Sequence, residues 1–334
     1  MSRTAEFKPV LAIYSLFVVF ATTFLLYAGG FTTSIGAGMV FPDWPLSNGS
    51  LNPEGWLENQ AMMAEHGHRL LGATIGILTL SLTVWVWLRD SRKWMRLLAV
   101  ACLFAVILQG LLGGFRVLFN NLQFAMIHGC LAQIFLCMLV SMAAGLSAWW
   151  FRDLNFPSAE QGGNSKIRQL GLVVCGLIFV QLIVAAIMRH SGAGLAIPTF
   201  PLTPDGGLIP ESWNFRVGIH FTHRAMALVI FTTYIYWASR ILTSNGLDGR
   251  IKSICWVALI LLFAQVTLGA MVIWSGRRPI PTTVHVLNGA YLFALSWLIT
   301  FFLYNRELKR SISSAVEKAE SVDFPEVSTG QSQP

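Results

Sequence analysis

The stretch Met63–Gly76, MAEHGHRLLGATIG, decides the fold, because it places a carboxylate and two histidines at the start of an apolar, membrane-length segment. A second stretch, Gly218–Phe231, GIHFTHRAMALVIF, repeats the pattern with a histidine where the first has Glu65. Ionisable residues at the edge of a membrane are costly, which makes them candidates for function. The rest of the chain shows what surrounds them.

The composition is that of an integral membrane protein. Of the 334 residues, 54% are hydrophobic and 12% are charged, against roughly 25% charged residues in soluble domains. Runs of about 18 or more apolar residues predict membrane spans. We count eight spans, which predict an all-α integral membrane protein with eight transmembrane helices: 9–31, 66–88, 96–116, 123–149, 169–190, 219–241, 252–274 and 283–304.

Lysine and arginine predict the orientation in the membrane, because they are enriched in cytoplasmic segments. With eight spans, the basic segments fall on one side, whereas the first long loop, about 32–64, has no Lys or Arg. We therefore expect both termini to be cytoplasmic. No glycine-rich dinucleotide fingerprint follows a strand, and we expect membrane lipid but no nucleic acid as a partner.

The chain contains an internal repeat. The segment GAGMVFPDWPL from Gly36 aligns with GAGLAIPTFPL from Gly192, and the offset stays between 155 and 157 over almost 100 residues. An even number of spans per copy predicts a parallel repeat of two pseudo-symmetric four-helix bundles. The expected domains are an N-terminal bundle at 9–149, a cytoplasmic linker at 150–168, a C-terminal bundle at 169–304 and a polar cytoplasmic tail at 305–334, disordered beyond about 311.

The repeat pairs four histidines at one predicted depth, near the outer ends of the even-numbered spans. These are His68 and His128 in the first copy and His223 and His285 in the second. Zinc would prefer four ligands, or three and an open position, so two histidines per copy fit an axially ligated haem better. The residues four positions further into each span are small, which suits a flat macrocycle or close helix packing: Gly72, Ala132, Ala227 and Gly289.

Arginines accompany the histidines. Arg69 and Arg224 follow His68 and His223 directly, and their guanidinium groups are candidates for contacts with haem propionates, because Arg suits carboxylates. The outer loops contribute further candidates at Arg116, Arg277 and Arg278. Anchoring at the membrane interface explains these arginines equally well.

The two copies differ at one notable position, where Glu65 aligns with His220. Glu65 lies three residues before His68 and therefore on the same helix face. A carboxylate that is present in just one of the two copies indicates unequal roles. In this interpretation one site performs chemistry, and Glu65 transfers protons there. The alternative is that Glu65 stabilises the start of its helix. The roles of His66, His190 and His220 stay open.

These motifs together resemble the haem A synthase family: EHGHR with HRLLGA, PDWPL, LQGLLGG and THRAMA. The resemblance covers about 9–304. It implies a bacterial cytoplasmic (inner) membrane enzyme that oxidises a methyl group of haem O to the formyl group of haem A, for cytochrome oxidase assembly. It also implies that His68 and His128 are axial ligands of the substrate haem iron beside a catalytic Glu65. His223 and His285 would ligate a haem b.

The resemblance implies partners as well. They are haem O synthase, cytochrome oxidase assembly factors and an unidentified electron donor. A competing hypothesis is a diheme, quinol-oxidising electron-transfer protein of the cytochrome b kind, which gives Glu65 no particular role. A third is a haem carrier, which would hold one haem weakly.

The sequence departs from part of that family in its first loop. Many bacterial members carry a cysteine pair around the PDWPL motif, but Phe41 and Ser47 stand at the flanking positions here. All five cysteines fall in predicted spans: Cys102, Cys130, Cys137, Cys175 and Cys255. A mechanism that depends on thiols in this loop is therefore not expected.

Overall fold

The computed structural model describes residues 6–151, 163–245 and 247–322, and within those ranges it contains helices and no strand. In chain order the helices are α1 Pro9–Ser34, α2 Gln60–Arg89, α3 Lys93–Leu118, α4 Leu122–Leu146, α5 Ala148–Phe151, α6 Gly163–His190, α7 Phe215–Thr243, α8 Gly249–Trp274 and α9 Pro279–Val322. Eight of them, all except α5, are long and apolar enough to cross a membrane. The predicted all-α, eight-span, multi-pass membrane protein is thereby confirmed.

The helix ends differ from the prediction where local polar chemistry acts. Helix α2 begins at Gln60 because the Asn59 side chain accepts hydrogen bonds from the amides of Ala61 and Met62, at 2.9 and 3.2 Å. Helix α4 ends at Leu146, and the extended backbone of Ser147 separates it from the short α5.

The expected disorder beyond residue 311 is wrong for the part of the tail that the structure describes. Helix α9 continues to Val322, and residues 311–322 include two Ala, two Glu and one Lys, which favour helix. Residues 152–162 of the predicted linker and 323–334 of the predicted tail lie outside the described residues.

Helices α4 and α9 form the centre of the molecule. They contact one another, and each also contacts α1 and α6, while most of the residues of both spans are buried. Close approach rather than hydrophobicity drives helix association in lipid, and Gly171 on α6 shows this, since a Cβ there would lie 2.6 Å from Oγ1 of Thr300 on α9. The pseudo-symmetric division into two bundles, the domain boundaries and the orientation of the termini stay predictions.

One end of the molecule, called the loop end below, carries the long loops 35–59 and 191–214. The four paired histidines lie near this end at matching helical positions. His68 and His223 are the ninth residues of α2 and α7, and His128 and His285 are the seventh residues of α4 and α9. The fold therefore places each pair beneath one long loop.

Candidate functional site

The first histidine pair brings together four helices. The rings of His68 on α2 and His128 on α4 have centroids 6.3 Å apart and planes at 87°. A glycine of a neighbouring helix lies against each ring: a Cβ at Gly29 on α1 would lie 2.7 Å from Cε1 of His68, and one at Gly113 on α3 would lie 3.5 Å from Cε1 of His128. Both rings are partly buried, and glycine is what allows the backbone to come this close to them.

The hydrogen bond at His128 indicates which nitrogen can bind a metal. Its Nδ1 lies 3.1 Å from the carbonyl oxygen of Gln109, which can only accept, so Nδ1 carries the proton and Nε2 has a free lone pair. Metal-bound histidines usually donate their other ring N–H to such a group. Nδ1 of His68 is buried and has no hydrogen-bond partner.

The second pair has the same arrangement with a different neighbour. The rings of His223 on α7 and His285 on α9 have centroids 6.5 Å apart and planes at 67°. A Cβ at Gly269 on α8 would lie 3.3 Å from Cε1 of His285, and the Gln265 side chain approaches Nε2 of His285 at 3.4 Å. Asn288 holds that glutamine by donating to its Oε1 at 2.6 Å.

Both pairs have the spacing that a shared metal ion requires. A metal–imidazole bond of about 2.0–2.1 Å puts the centroids of two rings on opposite sides of one ion roughly 6 Å apart. No group of three or more His, Cys, Asp or Glu could hold a metal ion within the described ranges. A metal ion with two protein ligands, whose remaining ligands come from a macrocycle, therefore fits the pairs better than a zinc centre does. In addition, Nδ1 of His68, His223 and His285 are buried polar atoms without hydrogen-bond partners.

Glu65 and Arg69 connect α2 to the first long loop. Oε2 of Glu65 accepts from the backbone amides of Val40 and Phe41 at 2.6 and 3.2 Å. Its Oε1 accepts from Nη2 of Arg69 at 2.6 Å, which forms a largely buried ion pair. Nη1 of Arg69 donates to the carbonyls of Asp43 and Leu46 at 2.7 and 2.6 Å. These two side chains therefore fix loop 35–59 above the first histidine pair.

The second loop is held in the same way by other chemistry. Nδ1 of His220 accepts from the amide of Ile197 at 3.2 Å, and Ile197 corresponds to Phe41 in the repeat. Nη2 of Arg224 donates to the carbonyls of Ile197 and Thr199 at 2.9 and 2.6 Å. Glu65 and His220 thus have equivalent positions beneath their loops, and one is an anion while the other is an imidazole.

The contacts of Arg69, Arg224 and Glu65 limit the roles that the sequence predicts for them. The guanidinium groups of Arg69 and Arg224 are occupied by loop carbonyls, so the suggested propionate contacts would have to replace or share those bonds. Glu65 is the sixth residue of α2, and Asn59 makes the capping hydrogen bonds, so the geometry does not favour the capping alternative. The catalytic role of Glu65 stays a prediction.

The structure adds a cluster at the positions of the missing cysteines, which the sequence did not reveal. Ser47 Oγ lies 3.0 Å from Nδ1 of His66, and the rings of Phe41 and Trp56 lie 6.1 and 4.7 Å from the His66 ring, both edge to face. Phe41, Ser47 and His66 are all buried. The five cysteines are buried and free in the helices, so the first loop is held without a disulfide.

Asp43 closes a turn within the same loop. Its carboxylate accepts from the amides of Gly49 and Asn48, both at 2.7 Å. These hydrogen bonds lower the pKa of the Asp43 carboxyl below its usual range, since they favour the ionised form, and the bond from Gly49 has the largest effect. Asp43 therefore stays charged at neutral pH and stiffens the loop that Arg69 holds.

Fold and site together define a multi-pass helical membrane protein with two paired-histidine sites, each beneath a long loop. The chain belongs to the COX15-CtaA family, described as cytochrome oxidase assembly protein, whose model matches residues 12–297.

Bacterial relatives support this membership, and each of the three described here is named heme A synthase. The one from Geobacillus kaustophilus is 30% identical and covers 90% of this chain and 94% of its own length. Those from Symbiobacterium thermophilum and Bacillus licheniformis are 32% and 29% identical, over 74% and 76% of this chain and 80% and 83% of their own. The predicted family is thereby confirmed.

Proposed function

We propose that this protein is a haem A synthase, an oxidoreductase that converts the methyl group of haem O to the formyl group of haem A. The observation that carries the proposal is the pair His68 and His128, 6.3 Å apart beneath a loop that Glu65 and Arg69 hold in place. The family and the shared name of the relatives support it. They do not favour the quinol-oxidising alternative.

In this proposal the N-terminal unit, 9–149, binds the substrate. His68 and His128 hold the haem O iron from opposite sides, and Gly29 and Gly113 fix the orientation of the two rings. The loop held by Arg69 covers the site and keeps bulk water out during the oxidation. The ion pair between Glu65 and Arg69 leaves no net charge on these two side chains beside the substrate.

The C-terminal unit, 169–304, holds haem b through His223 and His285. A haem bound there supplies one-electron transfer. The surrounding residues would keep this haem in place by restricting the His285 ring. Gln265 approaches the ring and is itself held by Asn288, and Gly269 lies against the ring. The first copy has Leu131 at the position of Asn288, and there His128 is held by the hydrogen bond from its Nδ1 to the carbonyl of Gln109.

Glu65 is proposed as the residue that manages protons beside the substrate. In the described conformation Oε2 accepts two loop amides and Oε1 accepts from Arg69, and protonation would weaken these bonds because it removes the charge that strengthens them. Proton uptake and loosening of the loop would then be coupled. The proposal extends to haem O synthase, cytochrome oxidase assembly factors and an electron donor as partners in the cytoplasmic membrane.

The test of the proposed function is production of haem A. The protein should be expressed in a host that makes haem O but no haem A, and the extracted pigments separated by chromatography. We expect haem A with the wild-type chain and none with His68→Ala or His128→Ala. Haem O that stays unconverted in the presence of folded, haem-loaded wild-type protein would contradict the proposal.

A further inference from the structure

Arg116, Arg189 and Arg277 lie at the loop end, where Arg116 and Arg189 both contact the segment 30–38 and Arg277 lies against Gly194 of the second long loop. Arg189, at the end of α6, reaches across to α1, where its Nη2 donates to the carbonyl of Gly30 at 2.9 Å and to Ser34 Oγ at 2.8 Å. Arg189 and Arg277 are close enough to repel each other, and His190 interacts electrostatically with both Arg189 and Arg116. We call these three arginines the arginine cluster.

The cluster lies directly beside both histidine sites. Arg116 comes one helical turn after Gly113, the glycine against His128, and donates to the carbonyl of Gly38. Arg189 binds the carbonyl of Gly30, the residue after the glycine against His68. On the other side, Ser34 lies 3.0 Å from Thr283, two residues before His285.

The chain itself does not neutralise this charge. Among the described residues no Asp or Glu lies within ion-pair distance of the three arginines, and the nearest relevant carboxylate, Glu65, attracts Arg116 but is itself paired with Arg69. Partly buried charges are normally paired, because desolvation makes an isolated charge costly. Arg116 and Arg189 are partly buried, and Arg277 is exposed beside them, so the cluster indicates a site for an anionic group.

We propose that the arginine cluster binds the propionate carboxylates of the two bound haems, so that the propionate edges of both macrocycles face each other across the interface. The inference rests on the proposed function. It assigns this role to Arg116, Arg189 and Arg277. Arg116 and Arg189 each bond the chain through a single guanidinium nitrogen, whereas Arg69 and Arg224 each use two. Planar guanidinium groups recognise carboxylates in two-point geometry.

The test compares iron protoporphyrin with its dimethyl ester, which has the same ring and iron but no carboxylate charge. Both are titrated into the full-length protein, purified in detergent from a haem-deficient host. In Arg189→Gln we expect affinity for the porphyrin to fall about tenfold or more, because a hydrogen bond to a charged group is lost, while affinity for the ester changes less than twofold. Arg216→Gln, at an exposed arginine of the loop end that lies outside the cluster, is the matched control and should alter neither affinity.

Two further measurements separate this role from a structural one. Arg189→Lys keeps the charge and should restore most of the discrimination between porphyrin and ester. The midpoint potential of the bound haem should fall in Arg189→Gln, because the lost positive charge no longer opposes oxidation of the iron. Equal losses for porphyrin and ester in Arg189→Gln, or no loss for either, would overturn the proposal.

The outcomes also distinguish this inference from the proposed function. If the discrimination is found but no haem A is ever formed, the propionate site stands and the reaction does not. If haem A is formed and Arg189→Gln binds both porphyrins as the wild type does, the reaction stands and the site does not. Binding of neither porphyrin by the wild type would overturn both.

Discussion

Glu65 and His220 accept hydrogen bonds from equivalent backbone amides, yet only one of them is an anion. Glu65 receives the amides of Val40 and Phe41, and His220 receives the amide of Ile197. The position is therefore used in both copies to hold a loop, and the carboxylate adds a charge that Arg69 balances. This geometry explains why both copies have a polar residue there, while the identity of the residue remains the candidate for a chemical difference.

Glu65→Gln separates the two roles of Glu65. Glutamine keeps an oxygen that can accept from the loop amides but cannot take up a proton as a carboxylate does. If Glu65 manages protons, haem A per mole of folded protein should fall by about 10²–10⁴, while haem content stays normal. Chromatography of the extracted haems measures this.

His220→Gln is the matched control from the other copy. It should leave haem A yield within a few-fold of the wild type, because it affects only the second loop. A wild-type yield in Glu65→Gln would contradict the catalytic role. Equal losses in both variants would mean that loop position, rather than the carboxylate, limits the reaction.

Gly29 should be as important as His68, the proposed ligand that it touches. A Cβ at this position would lie 2.7 Å from Cε1 of His68, a distance that normal packing does not allow, so Gly29→Ala must move the ring. We expect a changed low-spin spectrum and a lower haem A yield. Gly110→Ala on α3 is the control, since Gly110 is exposed and a Cβ there would meet no atom within 4 Å, and a normal spectrum in Gly29→Ala would show that His68 is not held as described.

At the scale of elements, sequence reasoning succeeded where a periodic or compositional signal exists. The eight spans follow from apolar runs, and the histidine positions follow from the repeat. The predicted span begins at residue 66, whereas α2 begins at Gln60, because its first turns depend on the hydrogen bonds to the Asn59 side chain rather than on hydrophobicity. The loop contacts of Arg69 were missed because bonds from a side chain to distant backbone carbonyls leave no pattern in a sequence, although the matched Arg224 was a hint.

The first loop should loosen in acid because of Asp43. A carboxyl whose pKa is lowered in the folded state stabilises that state above its unfolded pKa, and the contribution is lost as the pH falls through the folded value. The unfolded value is about 3.9, so the effect belongs below roughly pH 4. Limited proteolysis of loop 35–59 between pH 7 and pH 3 should show increasing cleavage in the acid range with an acid-active protease.

Asp43→Asn tests the cause of that loosening. The amide cannot ionise, and its NH2 group cannot accept a hydrogen bond, so one of the two bonds to Asn48 and Gly49 is lost at every pH. We expect faster cleavage already at neutral pH and a flatter response to acid. Loop 191–214 serves as the internal reference, because it has no carboxylate in the corresponding place, where Thr199 stands.

At the scale of the whole molecule, the most buried helices each contribute one proposed ligand to a different site. His128 is on α4 and His285 is on α9, and these two helices contact one another at the centre. Their partners, His68 and His223, are on α2 and α7 at the periphery. If each pair holds a haem as proposed, it would tie an outer helix to the central helices, so that haem binding should stabilise both sites.

The separation of the two sites can be measured by removing one ligand at a time. His223 and His285 contribute to one site only, and their rings contact Gly269 and Gln265 of the same half. We therefore expect His223→Ala or His285→Ala to lower bound haem b or to change its low-spin spectrum, because each variant opens a coordination position.

His68→Ala and His128→Ala should leave that haem in place, since the contacts of their rings are with helices α1 to α4. Reduced-minus-oxidised spectra and haem content per mole of protein distinguish the two sets of variants. An unchanged spectrum and haem content in both C-terminal variants would remove the assignment of haem b, and loss of all haem in every variant would show that the two sites fill as one unit rather than separately.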